Sequence, residues 1–229
     1  MVSAILLAAG SGKRMKSDKA KQFIEVGGRP LIYYSLKVFD ASVVDEIVLV
    51  TRAEDIDYVR TEIVERYGFT KVHRIVSGGR ERYESVARGL RKCDRRNKLI
   101  MVHDTARPFV TNRMIMDSIS EARRSRACTV AVPVKDTIKV VDDNGVAVET
   151  PDRSHLYQIQ TPQTFQREVL EEAHERLRIS GARDVTDDTM IVERYLDVPA
   201  KMVEGSYTNI KVTTPEDIVI AEALLAGSR

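Results

Sequence analysis

The side chains best suited to chemistry in this chain are cations that stand beside glycine-rich turns. The first such turn follows an apolar run over residues 2–9 and contains Gly10, Gly12, Lys13 and Arg14. Glycine lets the backbone approach a ligand and turn its N–H groups towards it, and cations add charge that these dipoles cannot supply. The pattern predicts a phosphate-binding loop at the carboxyl end of the first strand of an α/β sheet.

Two common phosphate-binding motifs do not fit this spacing. A dinucleotide-binding fingerprint needs a third glycine where Met15 stands, and an acidic residue at the end of the second strand, where Thr51 and Arg52 stand instead. A P-loop needs a Gly-Lys-Ser/Thr string that the chain lacks. A plain glycine turn with solvated cations remains the alternative for this stretch taken alone.

Three further polar clusters follow predicted strands later in the chain. Residues 78–85 begin with a second glycine turn, residues 104–107 read Asp-Thr-Ala-Arg, and Lys211 lies near the end of an edge strand predicted over residues 209–212. Because the carboxyl ends of parallel strands meet at one edge of a sheet, we expect all four clusters to converge there.

Within these clusters, whose first runs from Gly10 to Lys21, the candidates for chemistry are the cations Arg14, Lys21 and Lys211 and the carboxylate Asp104. They contain no paired carboxylates, no Cys/His arrangement and no serine nucleophile beside a base. This inventory suits phosphoryl or nucleotidyl transfer, in which the substrate supplies the attacking oxygen and the protein supplies positioning and positive charge. Asp104 fits as a ligand of Mg²⁺, which takes one or two carboxylates and otherwise phosphate oxygens and water.

The composition sets limits on partners and location. The 229 residues carry 36 Lys and Arg against 34 Asp and Glu, which is too balanced to predict nucleic-acid binding. Cys93 and Cys128 lack metal or CxxC spacing and are interpreted as reduced packing residues. Because no signal-peptide pattern and no membrane-spanning apolar run is present, a cytoplasmic location is expected.

Strand and helix patterns alternate through the first part of the chain. Strands are predicted at 2–9, 46–50, 72–76, 99–102 and 129–132, with helical spacing between them. This alternation predicts an α/β, Rossmann-like, doubly wound and mostly parallel sheet, with residues 1–229 as a single domain.

The alternation breaks near Pro133. Residues 137–141 and 146–149 are two short alternating stretches joined by an Asn-Gly turn, which predicts a β-hairpin. The hairpin has too little apolar surface to stand alone. We interpret residues 134–158 as a protruding β-arm that packs on a second copy of the chain, and a plain surface hairpin is the alternative.

The remaining elements are predicted from local patterns. A helix is expected over residues 166–179, edge strands over 200–203 and 209–212, and a last helix capped by Thr214. The arginines of residues 80–98 are interpreted as an exposed helix face, and His103 as a packing or hydrogen-bonding residue.

Several motifs, in order and over nearly the whole length, resemble the family of 2-C-methyl-D-erythritol 4-phosphate cytidylyltransferases. The first loop is shared with many sugar-phosphate nucleotidyltransferases, whereas the motifs around Asp104 and Lys211 narrow the resemblance to this family. The motifs are Leu7-Ala-Ala-Gly-Ser-Gly-Lys-Arg-Met15 with Lys21-Gln22, Val102-His-Asp-Thr-Ala-Arg-Pro108, Asp136-Thr137, Gln160-Thr-Pro-Gln163 and Asn209-Ile-Lys-Val-Thr213.

The resemblance implies a reaction and a set of roles. CTP and methylerythritol 4-phosphate would react with loss of pyrophosphate, in the non-mevalonate route to isoprenoids. Arg14 and Lys21 would stabilise the transition state, while Lys211 and Arg153 would position the acceptor phosphate, Arg153 from the arm of the other subunit of a homodimer. Implied nucleotide-binding residues are Ala8, Ala9, Gly10, Ser11, Gly12, Gly79, Ser85 and Thr105. Implied acceptor-binding residues are Asp104, which also lies at the Mg²⁺ region, Arg107, Thr137 and Thr161.

The chain departs from the family pattern at two positions. Ala20 stands where the family usually has proline, which should leave the empty loop less rigid, and Thr105 replaces an alanine. Two other functions stay open at this point. One is transfer to another polyol phosphate, such as ribitol 5-phosphate, and the other is a non-catalytic nucleotide-binding module.

Overall fold

A computed structural model of the chain describes residues 1–10 and 20–227. Its strands are β1 (Val2–Ala8), β2 (Glu25–Val26), β3 (Arg29–Pro30), β4 (Glu46–Thr51), β5 (Val72–Ser77), β6 (Leu99–Asp104), β7 (Ala127–Pro133), β8 (Val140–Val141), β9 (Ala147–Glu149), β10 (Tyr157–Gln166) and β11 (Lys201–Glu204). Its helices are α1 (Leu31–Ala41), α2 (Ile56–Tyr58, continued by a π-helical stretch over Val59–Glu65), α3 (Arg82–Leu90), α4 (Asn112–Ser125), α5 (Arg167–Ser180), α6 (Asp188–Leu196) and α7 (Pro215–Gly227).

The central sheet has seven strands in the order β11-β7-β10-β6-β1-β4-β5. Strand β1 pairs in parallel with β4 and β6, β4 with β5, and β7 with β11, while β10 runs antiparallel between β6 and β7. The fold is therefore α/β and Rossmann-like with a mostly parallel sheet, which confirms the predicted fold class.

The two faces of the sheet carry separate apolar cores. Ala4 and Leu6 of β1 pack in one core with residues of α1 and α4, whereas Ile5 packs in the other with residues of α3, α5 and α6. Because side chains alternate across a strand, an uninterrupted apolar run such as β1 supplies both cores. Helices on both faces make the sheet doubly wound.

The structure corrects two strand predictions. Residues 209–212 form no strand. Isolated hydrogen bonds hold this segment instead, and in one of them Val212 N–H donates to the carbonyl oxygen of Ala106 at 2.8 Å. Strand β10 was not predicted at all, because its sequence is polar and contains Pro162. Its buried amides are satisfied by tertiary partners, such as Gln163 Oε1, which accepts from the Asp188 N–H at 3.1 Å.

The hairpin is present but shorter than predicted. Strands β8 and β9 form a two-stranded antiparallel sheet, closed by Gly145 at a φ of 78°. Every residue from 135 to 150 is exposed. The base of the hairpin is fixed by Tyr207, whose hydroxyl donates to the carbonyl oxygen of Pro133 at 2.9 Å and whose ring lies 3.5 Å from Lys135 Nζ.

Side chains satisfy backbone donors at the starts of α4 and α7, and the interpretation of the cysteines holds, while the cap by the Thr214 side chain stays a prediction. The Thr111 hydroxyl accepts from Met114 N–H at 3.2 Å at the start of α4. At α7, Asp217 accepts from the backbone N–H of Thr214 at 2.9 Å, which satisfies a donor at the helix start. Cys93 and Cys128 are buried free thiols, and burial raises the pKa of each to about 12. None of the helices in the described part of the chain is long and apolar enough to cross a membrane.

Candidate active site

The described start of the first loop meets the second glycine turn at the carboxyl edge of the parallel strands. A Cβ added to Gly78 would lie 2.6 Å from Ala9 Cβ and 2.9 Å from Ser85 Oγ, so that only glycine fits between the first loop and α3. Gly78 N–H donates to the carbonyl oxygen of Thr51 at 2.7 Å, which ties the turn to the end of β4. The predicted convergence of these two clusters is confirmed.

Ser85 and Gly79, both implied in nucleotide binding, contact each other. The Ser85 hydroxyl accepts from the Gly79 N–H at 3.0 Å and donates to the carbonyl oxygen of Glu81 at 3.2 Å. A Cβ at Gly79 would lie 2.3 Å from Glu84 Cβ, which makes glycine a steric requirement. Their roles towards a nucleotide stay a prediction.

Lys21 joins this edge from the other side of the first loop. A Cβ added to Gly10 would lie 3.7 Å from Lys21 Cε, and Lys21 Nζ donates to the carbonyl oxygen of Val212 at 3.4 Å. Val212 is the neighbour of Lys211, so the two predicted cations reach the same edge. Arg14, Ser11 and Gly12, also predicted as site residues, lie outside the described residues.

Asp104 is the centre of charge at this edge. Asp104 is the last residue of β6. Its carboxylate accepts from Lys211 Nζ at 2.6 Å through Oδ2 and from Arg82 Nε at 3.2 Å through Oδ1. Burial alone would raise the pKa of Asp104, but the charges of Arg82 and Lys211 outweigh burial and hold it well below its usual range. Asp104 is therefore ionised wherever the fold persists.

Thr161 and His103 fix the backbone at the end of β6. The Thr161 hydroxyl accepts from Asp104 N–H at 3.1 Å and lies 2.9 Å from His103 Nδ1, to which it donates its proton. His103 then carries its own proton on Nε2 and donates it to the carbonyl oxygen of Arg107 at 3.2 Å. Burial lowers the pKa of His103 to about 4, so this residue is neutral and structural, as predicted.

Arg107 connects the site to two irregular segments. Its guanidinium donates to the carbonyl oxygens of Asn209 at 2.8 Å and Ile159 at 3.3 Å. Burial is the main cause that lowers its pKa below the usual value. Arg107 thus holds the segment before Lys211 and the start of β10 against the site, and its contact with an acceptor stays a prediction.

Arg153 and Thr137 are not brought to this cluster. Arg153 is exposed in a short 3₁₀ turn, Arg153–His155, and donates to the carbonyl oxygen of Lys135 at 2.7 Å. Thr137 is exposed just before β8. Within the described part of the chain, neither forms a hydrogen bond or ion pair with Asp104 or Lys211.

Thr105 lies against β1 with its side chain buried. It is 1% exposed, and its hydroxyl donates to the carbonyl oxygen of Leu7 at 2.8 Å. The same carbonyl accepts from the Thr105 N–H at 3.0 Å. The position favours a structural role for the hydroxyl over the implied contact with a nucleotide.

The variant Thr105→Val keeps the shape and removes the hydroxyl. We expect the free energy of unfolding to fall by about 0.5–1.5 kcal/mol, the usual contribution of one hydrogen bond, while KM for CTP stays unchanged. Urea denaturation and steady-state kinetics test both parts. A rise in KM for CTP without a loss of stability would instead make Thr105 a nucleotide contact.

Sequence reasoning missed Arg82, which was interpreted as part of an exposed arginine face. Its side chain is 26% exposed and bridges Asp104 to Asp188, where Arg82 Nη1 donates to Asp188 Oδ2 at 2.6 Å. The available signal was its place as the first residue of α3, where a cation opposes the helix dipole and so needs a nearby carboxylate.

The donors at this edge fit Mg²⁺ only in a limited way. Within residues 1–10 and 20–227, no group of three or more His, Cys, Asp or Glu side chains could hold a metal ion. The two oxygens of Asp104 already face two cations. The site fits a Mg²⁺ held mainly by phosphate oxygens of a bound nucleotide, with Asp104 as a single protein ligand.

The parallel edge of this Rossmann-like sheet gathers glycine turns, Lys21, Lys211 and the carboxylate of Asp104. Such a sheet and site define an enzyme of the nucleotidyltransferase class. The model of one family, 2-C-methyl-D-erythritol 4-phosphate cytidylyltransferase, matches residues 2–227. The chain belongs to this family.

Curated and solved relatives agree with the family match. The chain is 48% identical over 229 residues to the 2-C-methyl-D-erythritol 4-phosphate cytidylyltransferase of Lachnospira eligens, covering 99% of this chain and 100% of the relative. It is 47% identical over 224 residues to that of Lachnoclostridium phytofermentans, covering 98% and 96%. The crystal structure of 4-diphosphocytidyl-2C-methyl-D-erythritol synthase from Anaerococcus prevotii is similar, with a TM-score of 0.87 at 37% identity, covering 98% and 96% of the two chains.

Proposed function

We propose that this chain transfers CMP from CTP to 2-C-methyl-D-erythritol 4-phosphate, releasing pyrophosphate, as a step of isoprenoid synthesis by the non-mevalonate route. The observation that carries the proposal is that Lys21 and Lys211 lie at the same edge of the sheet. Lys21 donates to the carbonyl oxygen of Val212, the neighbour of Lys211, and Lys211 donates to Asp104. Family membership supplies the identity of the substrates.

The reaction needs no covalent enzyme intermediate. An oxygen of the acceptor phosphate attacks the α-phosphorus of CTP in line, a new P–O bond forms there, and the bond to the bridging oxygen of pyrophosphate breaks. The chain supplies position and charge: Lys21, with Arg14, stabilises negative charge at the α-phosphate, and Lys211 holds the acceptor phosphate. A Mg²⁺ ion held by the phosphates and Asp104 would neutralise part of the charge on CTP.

Incubation of CTP with a panel of acceptors tests this function. Pyrophosphate release with methylerythritol 4-phosphate, and not with ribitol 5-phosphate or erythritol 4-phosphate, is the expected result. Turnover with ribitol 5-phosphate alone would contradict the acceptor. Binding of CTP with no pyrophosphate from any acceptor would instead indicate a nucleotide-binding module.

The active form is proposed to be a homodimer joined through the β-arm, residues 134–158. The hairpin exposes a set of large apolar side chains that water disfavours and that a second copy could cover. They are Ile138, Val140, Val141, Val146 and Val148, each between 40% and 63% exposed. Arg153 would then reach the site of the partner, since it makes no contact with Asp104 of its own chain. The cytoplasmic location expected from the sequence stays a prediction.

Mixing two inactive variants tests the shared site. Arg153→Ala and Lys21→Ala chains, mixed in equal amounts and allowed to exchange, should recover about a quarter of the wild-type pyrophosphate release, because half the dimers are mixed and each mixed dimer has one intact site. Exchange is verified by native mass spectrometry of tagged chains. No recovery among verified mixed dimers would place Arg153 in its own chain's site or outside any site.

A further inference from the structure

One chain of charged contacts leads from the acceptor cation into the protein. Lys211 contacts Asp104, Asp104 contacts Arg82, and Arg82 contacts Asp188. The second oxygen of Asp188 lies 3.0 Å from His174 Nε2 on α5. Side chains from the segment before α7, from β6, α3, α6 and α5 therefore meet in one network.

The middle of this network is the Arg82 guanidinium. Its Nε donates to Asp104 at 3.2 Å and its Nη1 donates to Asp188 at 2.6 Å. A planar guanidinium holds two carboxylates at a defined angle, which the point charge of a lysine cannot do. Asp188 is itself fixed by His174 and by the amide of Gln163, so that Arg82 is anchored on its far side.

Local preferences and stability do not account for Arg82 at this position. As the first residue of α3, its charge lies at the positive end of the helix dipole. Its Nη2 is buried and has no hydrogen-bond partner among the described residues. Buried ion pairs add little net stability, because desolvation offsets most of the attraction. A residue that breaks local rules in this way points to a functional constraint.

We propose that Arg82 is a positioning residue for the transfer reaction. By holding one oxygen of Asp104, it sets the direction in which the other oxygen presents the Lys211 ammonium to the acceptor phosphate. This inference rests on the proposed function, in which Lys211 binds the acceptor. It adds a residue that touches neither substrate and acts through Asp104.

The test compares Arg82→Gln, Arg82→Lys and the control Arg91→Gln, an exposed arginine at the end of the same helix. We expect Arg82→Gln to lower kcat/KM for the acceptor about a hundredfold, as a misplaced binding group does, with KM for CTP nearly unchanged. Arg82→Lys should restore part of the lost kcat/KM for the acceptor, and Arg91→Gln should match the wild type.

Pyrophosphate release by the wild type is measured first, because its absence would contradict the proposed function rather than this inference. With an active wild type, an Arg82→Gln protein that keeps the wild-type kcat/KM for the acceptor would overturn the inference. So would equal losses for CTP and acceptor that follow the denaturation midpoint alone. If Arg82→Gln does not fold, Asp188→Asn, which releases the far anchor of Arg82, must show the same acceptor-specific loss in smaller degree, and an unchanged Asp188→Asn enzyme would overturn the inference.

Discussion

Replacing Lys21 with alanine is expected to lower kcat about 10²–10³-fold and to change KM for CTP little, the effect of removing one group that stabilises charge formed in the transition state. Lys21 lies at the first loop and is oriented by a hydrogen bond to the carbonyl oxygen of Val212. That contact places the ammonium between the loop predicted to bind CTP and the segment that carries Lys211. The physical reason is that charge at the α-phosphate increases as the acceptor oxygen attacks, so the ammonium contributes most at that moment.

Single-turnover kinetics with CTP at saturation measure this effect directly. The exposed lysine Lys92 provides a matched control, since Lys92→Ala removes the same charge far from the proposed chemistry. A 10²–10³-fold rise in KM for CTP with kcat intact would make Lys21 a ground-state anchor of the nucleotide. Arg14 shares the implied role and should give a loss of similar size.

Asp104→Asn is expected to show the second large effect. The amide keeps the size but loses the charge that pairs with Lys211 and Arg82, so Lys211 is no longer directed to the acceptor. We expect kcat/KM for the acceptor to fall about a hundredfold. The free energy of unfolding at pH 7 should fall by about 1.5–3 kcal/mol, the range for a lost hydrogen bond to a charged group, because Arg82 retains Asp188.

The lowered pKa of Asp104 sets the direction in which the free energy of unfolding changes with pH. The pKa of Asp104 is held below its unfolded value of about 3.9, so the folded state binds this proton less readily than the unfolded state. Its contribution to stability is fully present above about pH 4 and is lost as the pH falls below that value. Urea denaturation between pH 2 and 7 should therefore show the difference between wild type and Asp104→Asn shrinking towards acid. A constant difference would contradict the proposed ion pairs.

Local patterns were enough to predict most of the fold. The strands β1, β4, β6 and β7 are mostly apolar runs, and such runs are recognisable because both faces of the strand are buried. Strand β10 could not be predicted, since its polar side chains are buried only because Gln163 and its neighbours find partners in other elements. The strand predicted over residues 209–212 was wrong. An alternating stretch forms a strand only where another strand is free to pair with it, and tertiary structure decides whether one is.

Some residues of the candidate site could be predicted from the sequence and others could not. Its glycine turns, Lys21 and Asp104 were predictable, because the segments that carry them follow the ends of β1, β5 and β6, which share an edge. Lys211 lies at this edge as predicted, although the strand expected to carry it is absent. Arg82 was not predictable, since its helix is otherwise charged and its partners lie 22 and 106 residues away in the chain.

The sequence by itself determined the family and the fold class and predicted the chemistry of the first loop, because glycine spacing, strand periodicity and cation type are properties of short segments. Only the tertiary structure decided which charges meet. The pairing of Lys211 with Asp104, and of Arg82 with both Asp104 and Asp188, depends on four segments packing together, and no local pattern encodes these contacts. The direction of the Lys211 ammonium is therefore a property of the folded chain.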